Sequence, residues 1–134
     1  NFCDTVNDII DHLKNWDDMA GEEYDLSESV EKAETLLNIC DMFYKKQMDP
    51  EKKNHLILKL ARILVPLDFT SGNIYTNEPA KAIDAMPSLS LIRQLVSPDT
   101  DDNKKMSIKV ALRRHVNYVN DSLNQAQELL GEVI

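Results

Sequence analysis

A chain of 134 residues with 43% hydrophobic and 28% charged side chains has the size and composition of one globular domain, which excludes a disordered tail. Three glycines and few turn clusters exclude a many-stranded β fold, and no apolar run reaches the roughly 18 residues that a membrane-crossing helix needs. The net charge of −8 sits at one end: residues 1–34 hold eleven acids against Lys14 and Lys32, and the remaining hundred hold twelve acids against thirteen bases.

The opening NFCDTVNDII is acidic and shows no signal peptide, and a start at Asn1 instead of Met predicts a fragment or processed form of a longer chain. From Asp4 to about Met19, the residues Val6, Ile9, Ile10, Leu13, Trp16 and Ala20 recur at the spacing of one helical face. Gly21 follows where a helix-ending glycine belongs. Asp25-x-x-Glu28 reads as a capping box, with Ser27 as the other candidate cap. The second helix then runs to Lys46 on a stripe of Val30, Ala33, Leu37, Cys40, Phe43 and Tyr44, widened by Leu36 and Ile39. Lys45 and Lys46 place cations at the negative end of its dipole. Short links around Gly21–Tyr24 and at Gln47–Asp49 predict that the first and second helices, and the second and third, are antiparallel neighbours.

The most apolar stretch is Asp49–Pro66, with Leu56, Ile57, Leu58, Leu60, Ala61, Ile63, Leu64 and Val65 inside ten positions. Asp49 and Pro50 read as its cap and first residue, and Pro66 as its stop, pushing Val65 out of the helical region. A helix apolar around most of its circumference is one that others cover, so this stretch is predicted as the central rod. The irregular LDFTSGNIYTN follows, with Phe69, Ile74 and Tyr75 as anchors. A short helix is predicted near Glu78–Met86, capped by Thr76 or Asn77, and a second at Leu89–Val96, ended by Ser97-Pro98. The last helix, about Lys104–Leu130, carries Leu112, Val116, Val119, Leu123, Ala126 and Leu130 in steps of four and three. That seam fits a helix lying along a bundle better than a self-associating zipper, because Ala126 weakens it.

For chemistry the chain offers little pattern. Asp8 and His12 share a helical face, but a metal site needs a third ligand, and neither HExxH nor a paired di-iron motif is present. No metal or cofactor is expected. His12, His55, His115, Cys3 and Cys40 stand outside any nucleophile signature, and Gly72 lacks the spacing of a phosphate-cradling loop. The chain is therefore expected not to be an enzyme. Cys3 and Cys40 are spaced like neither a zinc knuckle nor a redox pair, and free thiols are the expectation. Lys105, Lys109 and Arg113 share one face beside Lys104, Arg114 and His115; they could touch phosphates, but the overall charge repels nucleic acid. A solvated basic face, or salt-bridging to the acidic first helix, is the simpler role. Asn120-Asp121-Ser122 matches a glycosylation sequon in mid-helix.

These features converge on an all-α bundle, one domain over residues 1–134, with four long helices, two short ones and antiparallel hairpin connections. The expected role is a non-catalytic adaptor that binds a protein or peptide, located inside the cell. Trp16 and Met19, if exposed, would make one edge of the docking surface, with Lys105, Lys109 and Arg113 as the charged contacts. The alternatives are a secreted four-helix signalling protein, which a Cys3–Cys40 bridge would favour, and a nucleic-acid subunit using the 104–115 face.

Overall fold

A computed structural model describes residues 1–67 and 89–134, and every regular element among them is helical. The order is α1 (Phe2–Ala20), α2 (Ser27–Lys45), α3 (Pro50–Leu64), a 3₁₀ turn (Val65–Leu67), α4 (Leu89–Val96) and α5 (Asp102–Gly131). The four long helices and the short Leu89–Val96 helix stand as the sequence predicts. The short helix expected near Glu78–Met86, and its anchors Phe69, Ile74 and Tyr75, lie outside the described residues.

Local chemistry explains where the helices begin and end. The Asn1 side chain accepts from the Cys3 N–H, Asp49 from Lys52 and Asp101 from Lys104, each satisfying a donor that the first turn leaves without a helical partner. The N-terminus of α2 is capped differently. Asp17, from α1, accepts the Leu26 N–H at 2.8 Å, while Asp25 accepts from Ser27 at 2.9 Å. Gly21 closes α1 with φ +55°, its N–H donating to the Asp17 carbonyl. Pro66 does not break α3 in the manner expected. Val65 keeps helical angles (φ −58°, ψ −41°), and the chain tightens into the 3₁₀ turn instead. A proline in a terminal turn leaves the carbonyl four residues earlier without its usual donor, and the tighter turn accommodates that loss.

The central-rod expectation for Asp49–Pro66 is overturned. Only Leu56, Leu60 and Leu64 of α3 are buried, and Leu58 is 64% exposed. Two helices, α1 and α5, each pack against α2, α3 and α4, whereas α3 packs against α5 and, more sparsely, α1. The 30 residues of α5 at 1.5 Å each span about 45 Å, whereas α3 is half as long. Ile108, Leu112, Val119, Leu123, Ala126 and Leu130 form the buried seam of α5; Val116, which the four-and-three spacing also assigned to it, is half-buried, and His115 is buried instead.

α1 and α2 form the predicted antiparallel hairpin, with the Phe2 N–H donating to the Tyr44 hydroxyl at 3.2 Å and Lys14 3.6 Å from Glu34. The second hairpin does not form: α3 lies against α5 rather than along α2. Lys46 and Asp49 are extended, and a four-residue link can reach at most about 13 Å, enough to carry the chain across the end of the bundle. Lys53 secures that crossing. Its ammonium donates to the carbonyls of Tyr44 (3.0 Å) and Lys46 (3.3 Å), and it lies 5.6 Å from the Phe43 ring centre. A cation there meets the negative end of the α2 dipole.

The core joins all five helices: Val6, Ile9, Leu13 and Trp16 from α1, Leu36 and Phe43 from α2, Leu60 and Leu64 from α3, Ile92 and Leu95 from α4, with the α5 seam. Leu36 takes the buried position that the stripe assigned to Leu37. Between α2 and α5 a short polar ladder replaces apolar contact. Buried Ser29 donates to Asn120 Oδ1 at 2.6 Å, and Lys32 donates to Asn124 at 3.2 Å. Asn120 is thus engaged inside a helix interface, with Ser122 buried beside it, which gives the sequon match a structural role.

Candidate interaction surface

The sequence-selected residues separate into three groups. Trp16 is 4% exposed and lies in the core, and Met19 is half-buried against it. The exposed Trp16–Met19 docking edge is therefore corrected: the same i, i+3, i+4 spacing that brought Trp16 to notice places it on the buried face of α1. Lys105 and Lys109 are engaged within the chain. They straddle Glu23, with Lys105 Nζ 3.4 Å from one carboxylate oxygen and Lys109 Nζ 3.5 Å from the other. The hydrogen bond and charge of Lys105, with a smaller contribution from Lys109, hold the Glu23 carboxyl below its ordinary range. This clamp ties the start of α5 to the turn after α1, whereas the sequence pointed to the first helix itself as the salt-bridging partner. His115, grouped with the basic face in sequence, is buried among the α5 seam residues. Arg113 is solvent-exposed, as are Lys104 and Arg114 from the same basic stretch.

The face of α5 that points away from the bundle carries what sequence reading overlooked. Met106 and Val110 are each 66% exposed, one turn apart. Asp102 and Asn103 precede them and Arg113 and Asn117 follow, all exposed and within one third of the helix circumference. Isolated exposed apolar residues such as Leu58 need no explanation, but two stacked on a helix between opposite charges make a patch. The signal was present in the sequence: both residues fall out of phase with the Leu112–Leu130 seam, on the side it leaves to solvent.

Two open grooves between helices mix charged side chains with a few apolar ones. One of about 370 Å³ between α1 and α2 is lined by Lys14, Asp17, Asp18, Val30, Glu31 and Glu34. Another of about 410 Å³ between α3 and α5 is lined by Lys59, Arg62, Ile63, Gln125, Glu128 and Leu129. Neither gathers apolar walls around converging polar groups in the manner of a small-molecule site.

His12 and Asp8 do share a face, but His12 Nδ1 donates to the Asp8 backbone carbonyl at 2.8 Å, which directs that nitrogen at its own helix. Among the described residues no three His, Cys, Asp or Glu side chains group as a metal site. Cys3 and Cys40 are both free thiols. Burial pushes the Cys40 thiol up to about 12, with a further contribution from Cys3. Cys3 is itself raised by partial burial, then by Asp41 and Asp4. Neither environment favours a thiolate near neutral pH. No helix among the described residues is long and apolar enough to cross a membrane.

Comparison with known proteins finds no matching family model, no similar curated protein and no similar solved structure.

Proposed function

We propose that this chain is a non-catalytic interaction module that presents the outer face of α5 to a partner helix. The observation that carries the reading is the Met106–Val110 pair, two-thirds exposed and set between Asp102 and Arg113. An apolar pair one turn apart is the minimum unit by which one helix packs on another, and flanking charges of opposite sign impose direction and register. The rest of the bundle supports the role by holding that face rigid. The Glu23 clamp fixes the first turns of α5 from one side, and Ile108 and Leu112 seat them in the core from the other.

The test compares affinity capture from the native source by the wild-type chain and by Met106→Lys/Val110→Lys. Both substitutions are on solvent-facing positions, so helical circular dichroism should be unchanged. Proteins retained by the wild type and lost from the variant support the reading. Identical capture by two equally folded baits refutes it. Two of the basic residues that the nucleic-acid alternative would use, Lys105 and Lys109, pair with Glu23.

A further inference from the structure

We infer that the occupant of this face is a second copy of the chain, with two α5 helices packed antiparallel about a two-fold axis. The inference rests on the interaction reading above and adds the identity of the partner. Its basis is the order of residues along the exposed face. Asp102 lies six positions before the midpoint of the Met106–Val110 pair and Arg113 five positions after it. A two-fold axis perpendicular to both helices inverts position along the helix while keeping each side of the face on the same side. Counted at 100° per residue, Asp102 and Arg113 fall on the same side of the Met106–Val110 line. The axis therefore sets each Arg113 opposite the other copy's Asp102, twice over.

Met106 of each copy meets Val110 of the other at the centre, so the apolar pair is buried between two ion pairs. Asn103 and Asn117 remain at the margins as neutral polar groups. The arrangement is isologous and closes on itself, the commonest way for a soluble chain to pair. A parallel pairing of the same faces would set Asp102 against Asp102 and Arg113 against Arg113, which like-charge repulsion disfavours. Glu23, in the turn after α1, does not oppose the pairing, because its charge is paired with Lys105 and Lys109.

The experiment is sedimentation equilibrium of the wild-type chain over a wide concentration range at low salt, with circular dichroism on every variant. The wild type is expected to dimerise, and Val110→Lys to shift the dissociation constant at least tenfold with no loss of helix. Asp102→Arg and Arg113→Asp are each expected to weaken the dimer. The double variant Asp102→Arg/Arg113→Asp is expected to restore it, since the swap re-creates both ion pairs only in the antiparallel arrangement. A wild type that stays monomeric throughout overturns the inference, as does a dimer that ignores Val110→Lys or a double variant no tighter than the singles. Monomeric behaviour alongside capture that depends on Met106 and Val110 would overturn the self-pairing alone. Monomeric behaviour with capture that ignores both residues would remove the interaction reading as well.

Discussion

Replacing Trp16 by Ala tests the packing directly, because the same substitution would be nearly silent if the indole were a surface docking residue. At 4% exposure almost the whole side chain is withdrawn from water. An aromatic of this size buries roughly 150–250 Å², which at about 25 cal/mol per Å² is worth about 4–6 kcal/mol as an upper bound. Large-to-Ala truncations of buried aromatics cost about 3–5 kcal/mol, so the expected loss falls in that range. Against roughly 0.05–0.15 kcal/mol per residue of total stability, this is a large share for a chain this size. Urea titration followed by circular dichroism should show the midpoint falling without a change of slope, and the melting temperature dropping by roughly 6–20 °C. Native Trp16 fluorescence should be blue-shifted from that of the unfolded chain. A loss under about 1 kcal/mol, with native emission matching the unfolded chain, would refute burial and restore Trp16 to the surface.

Three further outcomes follow from particular contacts. Cys40 is held protonated to about 12, so between its ordinary value of 9.0 and that point the folded chain keeps a proton the unfolded chain gives up. Its contribution is complete below that window and is lost as pH rises through it; urea midpoints across the range should fall more steeply for wild type than for Cys40→Ala, and equal slopes would contradict the assignment. Glu23→Lys sets three cations together where one carboxylate now separates two, so the melting temperature should drop at low ionic strength and largely recover at high. Because the Glu23 carboxyl is held below its ordinary 4.5, its contribution is present above that value and disappears as pH falls through the lowered one; a salt-independent Glu23→Lys effect would refute the clamp. Gly21→Ala should cost about 1 kcal/mol by urea titration, since an added Cβ meets no atom within 4 Å and the penalty comes from φ +55° alone. A neutral result would place that residue in an ordinary conformation.

The sequence by itself determined the features that depend on near neighbours in the chain. Asp49 with Pro50 fixes the start of α3, Gly21 the end of α1 and Ser97-Pro98 the end of α4, because caps and stops act through hydrogen bonds and steric limits a few residues long. The buried face of α1 was equally legible, since helical periodicity alone assigns it, and that of α5 was legible apart from His115, which is buried where Val116 was expected. Which helix stands at the centre was decided only in three dimensions. The dense apolar run of α3 suggested a rod covered on all sides, yet coverage depends on which neighbours reach a face, and it is α1 and α5, not α3, that each pack against three other helices. Burial also removed Trp16 and His115 from the candidate surface, and the Glu23 clamp engaged Lys105 and Lys109. What remained exposed, Met106 and Val110 between Asp102 and Arg113, became visible once packing had used the seam on the other side of α5. A residue's spacing tells which others share its face, but only the packed molecule tells whether that face meets protein or water.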